Sequence, residues 1–73
     1  MAVYIKKEPF KVILAKSNMT QIALAEKLGI KNPAHLNNVI HGRVSASPDT
    51  RNGIMDIFEI KNWNSIFEIR EAV

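Results

Sequence analysis

Residues 20–43, T-Q-I-A-L-A-E-K-L-G-I-K-N-P-A-H-L-N-N-V-I-H-G-R, decide the fold. They read as two short helices joined by a tight turn. Thr20 can accept a hydrogen bond from an orphan N–H of a first helical turn, so the first helix starts there. Met19 before it and Leu24 after it occupy the positions of a hydrophobic staple. Leu24, Ala25 and Leu28 line one face of that helix. Gly29 stands where a helix ends at positive φ, a conformation that glycine adopts without strain. Ile30 and Lys31 make the turn. Asn32 is a good N-cap and Pro33 suits the first helical position, where its missing N–H is not needed. The second helix therefore covers 32–42, with Leu36, Val39 and Ile40 as its inward stripe. Its opposite face carries Ala34, Asn38 and His41, with Asn37 at the margin and His35 to one side. Gly42 closes the helix and Arg43 follows.

Outward from this pair, the chain reads as one small domain, 1–73, mainly all-α, with four to five helices. Residues 2–7 (A-V-Y-I-K-K) are a short strand or an ordered arm, and Lys6 and Lys7 there are either backbone contacts or solvated charges. Pro9, with Glu8 before it, suits the first turn of a helix that buries Phe10, Ile13 and Leu14 and stops near Asn18. Ser47 and Pro48 start a further helix running to about Glu59 and burying Ile54, Ile57 and Phe58. Asn52-Gly53 within it is also a hairpin signal, but the preceding Pro48, Asp49 and Thr50 are not strand-like. Asn62 caps a last short helix through Trp63, Ile66 and Phe67. The alternating tail 67–73 continues that helix or forms a strand, and in the second case the Val3-Tyr4-Ile5 segment is its natural partner, within one chain or across a dimer.

Composition narrows the functional classes. Apolar residues are 47% and charged residues 23%, which is globular rather than disordered. There is no cysteine, so disulfides and thiolate metal sites are excluded, and an intracellular, cytoplasmic setting is expected. No apolar run approaches a membrane span and no signal-peptide pattern opens the chain. The net charge of +3 is unevenly spread. Residues 1–45 hold seven basic and two acidic residues, whereas 46–73 hold three basic and five acidic. The basic half carries the helix pair, the footprint expected of a face laid against phosphates.

Catalytic and metal chemistry find no support in the sequence. His35 and His41 are six apart on one helix, about 120° apart in projection, so they do not share a face. No triad order, glycine-rich phosphate loop or paired-carboxylate motif appears. No enzyme, cofactor, metal or small-molecule ligand is expected.

The pattern T-Q-x-x-L-A-x-x-L-G-I, followed by a polar helix ending x-G-[KR], resembles the Cro/Xre-like family of phage-type repressors. The resemblance extends less strictly from about Phe10 to Phe67. It implies a compact repressor-like helix-turn-helix domain with the unit at 20–42. Ala25 would then be the small residue that lets the two helices approach, Gly29 the turn glycine, and Gln21 a phosphate contact at the start of the first helix. It also implies a prokaryotic or phage-encoded regulator of transcription that binds a palindromic operator as a homodimer. Three features depart from the family. The turn from Gly29 to Leu36 is one residue longer than usual. Ile22 and Ala23 stand where polar or acidic residues are common, and Leu14 where a basic residue is often found.

On this reading the second helix enters the major groove, where base edges present distinct donors and acceptors. Asn38 is the first candidate for a bidentate pair with adenine and Asn37 the second; Ala34 permits close approach to a thymine methyl, and His35 reaches a base or a phosphate. Gln21, Lys31, Asn32, His41 and Arg43 are candidates for backbone contacts, with Arg51 a weaker one. Trp63, Ile66, Phe67 and Ile69 are the expected dimer contact. The competing reading is a protein-interaction module (antirepressor, antitoxin-like or polymerase-binding) that uses an apolar patch of Leu14, Ile22 and Ala23.

Overall fold

The computed structural model describes residues 1–71 and is mainly helical. Strand β1 (Ala2–Ile5) opens the chain. Helices α1 (Lys7–Lys16), α2 (Gln21–Leu28), α3 (Pro33–Ile40) and α4 (Pro48–Ile57) follow. A 3-10 turn (Trp63–Ser65) then leads into strand β2 (Phe67–Arg70). The tail takes the strand option: β2 pairs antiparallel with β1 of the same chain, with Ile5 opposite Phe67 and Ala2 opposite Arg70. Ala72 and Val73, also part of the alternating tail, lie outside the described residues.

Side-chain caps start three of the four helices. Thr20 Oγ1 accepts from the Ala23 N–H at 3.1 Å, Asn32 Oδ1 from Ala34 at 3.0 Å, and Ser47 Oγ from Thr50 at 3.3 Å. Helix α1 starts without one, at Lys7, which puts Pro9 in its first turn. The ends of α2, α3 and α4 share another device. A residue one or two positions past the helix turns left-handed and the next N–H reaches back to a carbonyl five residues earlier: Ile30 to Ala25 at 2.9 Å, Arg43 to Asn38 at 2.9 Å and Ile60 to Met55 at 3.0 Å. At the end of α4 the left-handed residue is Glu59, at φ 52°, so the helix stops at Ile57, short of the expected end. Asn18, at φ 54°, ends the α1 segment where the sequence suggested.

All the elements meet in one apolar cluster. It comprises Ile5 from β1, Phe10 from α1, Leu24 and Ala25 from α2, and Leu36, Val39 and Ile40 from α3. Ala46, Ile54, Ile66 and Phe67 complete it. Phe58 meets Phe10 edge-on, with ring centroids 5.7 Å apart, and Trp63 lies 5.4 Å from Phe67. Asn52-Gly53 is helical, and tertiary packing gives the reason. A Cβ on Gly53 would lie 2.6 Å from Leu28 Cδ2, so the missing side chain lets α4 lie against α2.

Two expectations for the C-terminal region are corrected. The fifth helix is only a 3-10 turn, because Ile66 and Phe67 are drawn into the core and the Ile66 carbonyl accepts from the Lys6 N–H at 2.7 Å. For the same reason Ile66 and Phe67 cannot supply a dimer contact: they are 0% and 1% exposed within a single chain. Of the four residues expected there, only Ile69, 58% exposed, and the half-buried Trp63 keep accessible surface.

Gly29 and Gly42 share nearly the same backbone, φ 73° and 71°, but not the same surroundings. A Cβ on Gly29 meets nothing within 4 Å, whereas one on Gly42 would lie 2.9 Å from the Ile5 carbonyl oxygen. Gly29→Ala should therefore lose about 1 kcal/mol, the left-handed cost alone. Gly42→Ala should lose that plus an overpacking cost of about 1–3 kcal/mol. Urea unfolding of the two variants checks the difference; equal losses would mean that the Gly42 contact does not constrain the fold.

Candidate nucleic-acid interface

The outward side of α3 is built by its caps. Asn32 holds the first turn through the Ala34 N–H and leaves Ala34 and His35 exposed. Asn37 is half-buried and turned toward α2, where its Oδ1 accepts from Gln21 Nε2 at 3.2 Å. Asn38 is tied to the residue after the helix instead. Its backbone carbonyl accepts from the Arg43 N–H at 2.9 Å and its Oδ1 from Arg43 Nη1 at 3.3 Å. The carbonyl of Asn37 accepts twice from His41, from the backbone N–H at 3.1 Å and from ring Nδ1 at 2.7 Å. A carbonyl only accepts, so Nδ1 carries the proton, and in the neutral ring Nε2 is an acceptor. Direct donation from His41 to a phosphate therefore requires the doubly protonated ring. Both asparagines engage Oδ1, and each side-chain NH2 has no partner among the described residues.

Beside this face lies an open cavity of about 310 Å³, lined by Lys7, Phe10, Lys11, Leu14, Gln21, Ile40 and His41. Phe10, Leu14 and Ile40 supply the apolar part of its wall, and Lys7, Lys11, Gln21 and His41 the polar part. Gln21 is the first residue of α2, at the end where N–H groups lack helical acceptors. Gln21 and His41 were each expected to touch a nucleic-acid backbone, and the fold brings them to one cleft. It also brings Lys7 and Lys11, of which the first was weighed only as a solvated or backbone-touching charge and the second not at all. Their spacing of four residues on α1 was the available signal, since it puts both on one helix face. Lys6 goes elsewhere, donating through Nζ to the Asn64 carbonyl at 2.8 Å.

The electrostatics of the cleft are uncompensated. Among the described residues the one ion pair is Arg70–Glu68, at 3.2 Å, so Lys7, Lys11 and Arg43 have no carboxylate within reach. The other expected backbone contacts are more scattered. Lys31 is exposed in the turn before α3, at the opposite end of the helix from His41 and Arg43. Arg51 is half-buried on α4 and does not line the cleft.

The apolar patch expected at Leu14, Ile22 and Ala23 does not form one exposed surface. Leu14 is half-buried in the cleft wall, because α1 packs that side of itself against the core. Ala23 is half-buried, with its N–H capped by Thr20, and Ile22 alone stands out, 64% exposed. Among the described residues no group of three or more His, Cys, Asp or Glu could hold a metal ion, and no helix is long and apolar enough to cross a membrane.

The cap on α3 sets its first turn, so Asn32→Ala should destabilise the protein by about 1 kcal/mol. Amide exchange should accelerate at Ala34 and His35 before it does at core positions such as Leu24 and Ile54. Uniform acceleration across all four would show that the cap has no local role.

No protein-family model matches the chain, and no curated protein and no solved structure matches it.

Proposed function

We propose that the chain is a DNA-binding domain of the Cro/Xre-like helix-turn-helix type that lays α3 in the major groove of a specific duplex site and regulates transcription by occupying it. The observation that carries this reading is the meeting of Lys7 and Lys11 from α1, Gln21 from α2 and His41 from the end of α3 in one cleft at the C-terminal end of α3. Two free ammonium groups and the orphan N–H groups at the start of α2 suit a phosphate. With its side chains an α-helix such as α3 is about 10–12 Å across, which fits the major-groove width of about 12 Å.

The roles divide by position. Lys7, Lys11 and Gln21 hold one strand at the cleft, with His41 joining them when its ring is doubly protonated. Arg43, fixed against Asn38, lies at the C-terminal end of α3, and Lys31 and Asn32 approach the backbone at the other end. Asn38 reads a base with its free NH2 and the second lone pair of Oδ1, and Ala34 and His35 lie nearest the groove floor at the helix start. Asn37 is partly engaged by Gln21, so it supports the phosphate contact and comes second as a reader. A two-fold dimer would bind a palindromic site with half-sites about one helical turn apart.

Selection from random duplex DNA at two salt concentrations tests the reading. The wild type should recover a palindromic motif. Asn38→Ala should relax one position of each half-site, at about 1–3 kcal/mol for the preferred base. Lys7→Ala with Lys11→Ala should weaken binding to all sequences and lower the salt slope by about two. No motif together with weak retention at low salt would overturn the reading, and the exposed Ile22 would then be the place to look for a protein partner.

A further inference from the structure

Asn38 and Arg43 are joined twice. The left-handed turn at Gly42 brings the Arg43 N–H to the Asn38 backbone carbonyl at 2.9 Å, and Arg43 Nη1 donates to Asn38 Oδ1 at 3.3 Å. Among the described residues the guanidinium has no carboxylate partner and no other side-chain acceptor. Asn38 is half-buried on the outward side of α3, and its NH2 has no partner among the described residues.

The chemistry of the two side chains gives this bond a direction. A carboxamide carries an acceptor at one end and a donor at the other, in nearly the same shape, so a half-turn about χ2 exchanges them. An unrestrained asparagine therefore meets a base edge in either orientation. A guanidinium only donates. Asn38 can turn Oδ1 toward Arg43, but not its NH2, because N–H groups would then face each other beside a positive charge. One of the two orientations is excluded before any base is met.

That exclusion bears on sequence reading, because base edges differ in the order of their groups. Adenine presents an acceptor at N7 beside a donor at N6, whereas across a C·G pair the donor at cytosine N4 stands beside the acceptor at guanine O6. A carboxamide free to turn satisfies both orders; one held at Oδ1 satisfies a single order. Discrimination comes as much from penalising the wrong partner as from binding the right one.

We infer that Arg43 is a positioning residue for base recognition. By holding Oδ1 it fixes the direction in which Asn38 presents its donor and acceptor, and so restricts that position of the half-site to one base, adenine, with which asparagine forms its bidentate pair. The inference rests on the DNA reading of α3 and gives Arg43 a role besides the backbone contact expected of it.

Substitutions at Arg43 separate positioning from a phosphate contact, and the side chain is exposed, so each variant should keep the native circular dichroism. In selection from random duplex DNA, Arg43→Ala and Arg43→Gln should each lose about tenfold of the preference at the position that Asn38→Ala relaxes, with the other positions unchanged. Glutamine accepts as well as donates, so it no longer excludes the turned amide. Arg43→Lys, which only donates, should restore the preference. If Ala and Gln instead weaken binding to all sequences alike and lower the salt slope by about one, with the base profile intact, Arg43 is a phosphate contact alone. That outcome would overturn the inference and leave the DNA reading standing. The free protein supplies a second readout. NMR relaxation of the side-chain amide nitrogens should find Asn38 Nδ2 ordered in the wild type and mobile in Arg43→Ala. Asn37, held by Gln21, should be the same in both. A mobile Asn38 amide in the wild type would overturn the inference without any DNA present. A wild type that selects no motif would overturn the DNA reading and the inference with it.

Discussion

The junction at Gly42 holds the candidate reading helix to both ends of the chain. Only a residue without a Cβ, at positive φ, fits between the end of α3 and the Ile5 carbonyl. Arg70, at the end of β2, lies over the Tyr4 ring, 4.3 Å from its centroid, and donates to the Gly42 carbonyl at 2.9 Å. Its guanidinium also meets Glu68 at 3.2 Å. One side chain thus ties the last strand to the first strand and to the end of α3. The same left-handed turn carries Arg43 back over Asn38, so the backbone conformation at Gly42 also aims a cation beside the foremost candidate reader.

The polar groups of the proposed interface hold one another before any ligand arrives. Gln21 holds Asn37, the Asn37 carbonyl holds His41, and Arg43 holds Asn38. Side chains fixed in advance lose less conformational entropy on binding, which favours affinity without further contacts. The arrangement places little demand on the core, which contains no buried polar or charged side chain among the described residues. Folding and the proposed recognition therefore draw on separate sets of residues, apart from those at the cleft. There Phe10, Leu14 and Ile40 serve the core on one side and wall the cavity on the other.

Charge follows the same division. The basic excess of residues 1–45 resides on Lys6, α1 and the segments flanking α3, and two of its lysines, Lys7 and Lys11, come together at the cleft. In the acidic second half, β2 alternates apolar and charged residues, Phe67 and Ile69 on one face, Glu68 and Arg70 on the other. A short, charged edge commonly deters strand addition.

Sequence by itself determined what depends on neighbours within a few positions. The caps at Thr20, Asn32, Ser47 and Asn62, the left-handed stops at Asn18 and Gly29, and the inward stripe Leu36, Val39 and Ile40 were all legible, because each requires only a local pattern. On the candidate site, the exposure of Ala34 and His35 followed from the same periodicity. Tertiary structure decided whatever depended on a partner far along the chain. Whether 67–70 is helix or strand turned on pairing with residues 2–5, and that choice consumed Ile66 and Phe67. Lys6 and Lys7 are adjacent in sequence, yet one reaches the Asn64 carbonyl and the other the cleft, because the start of α1 turns them to different sides. Asn37 and Asn38 looked alike until Gln21 and Arg43 assigned them different partners. A helical repeat specifies which face a residue occupies; only the packed neighbours specify what that face touches.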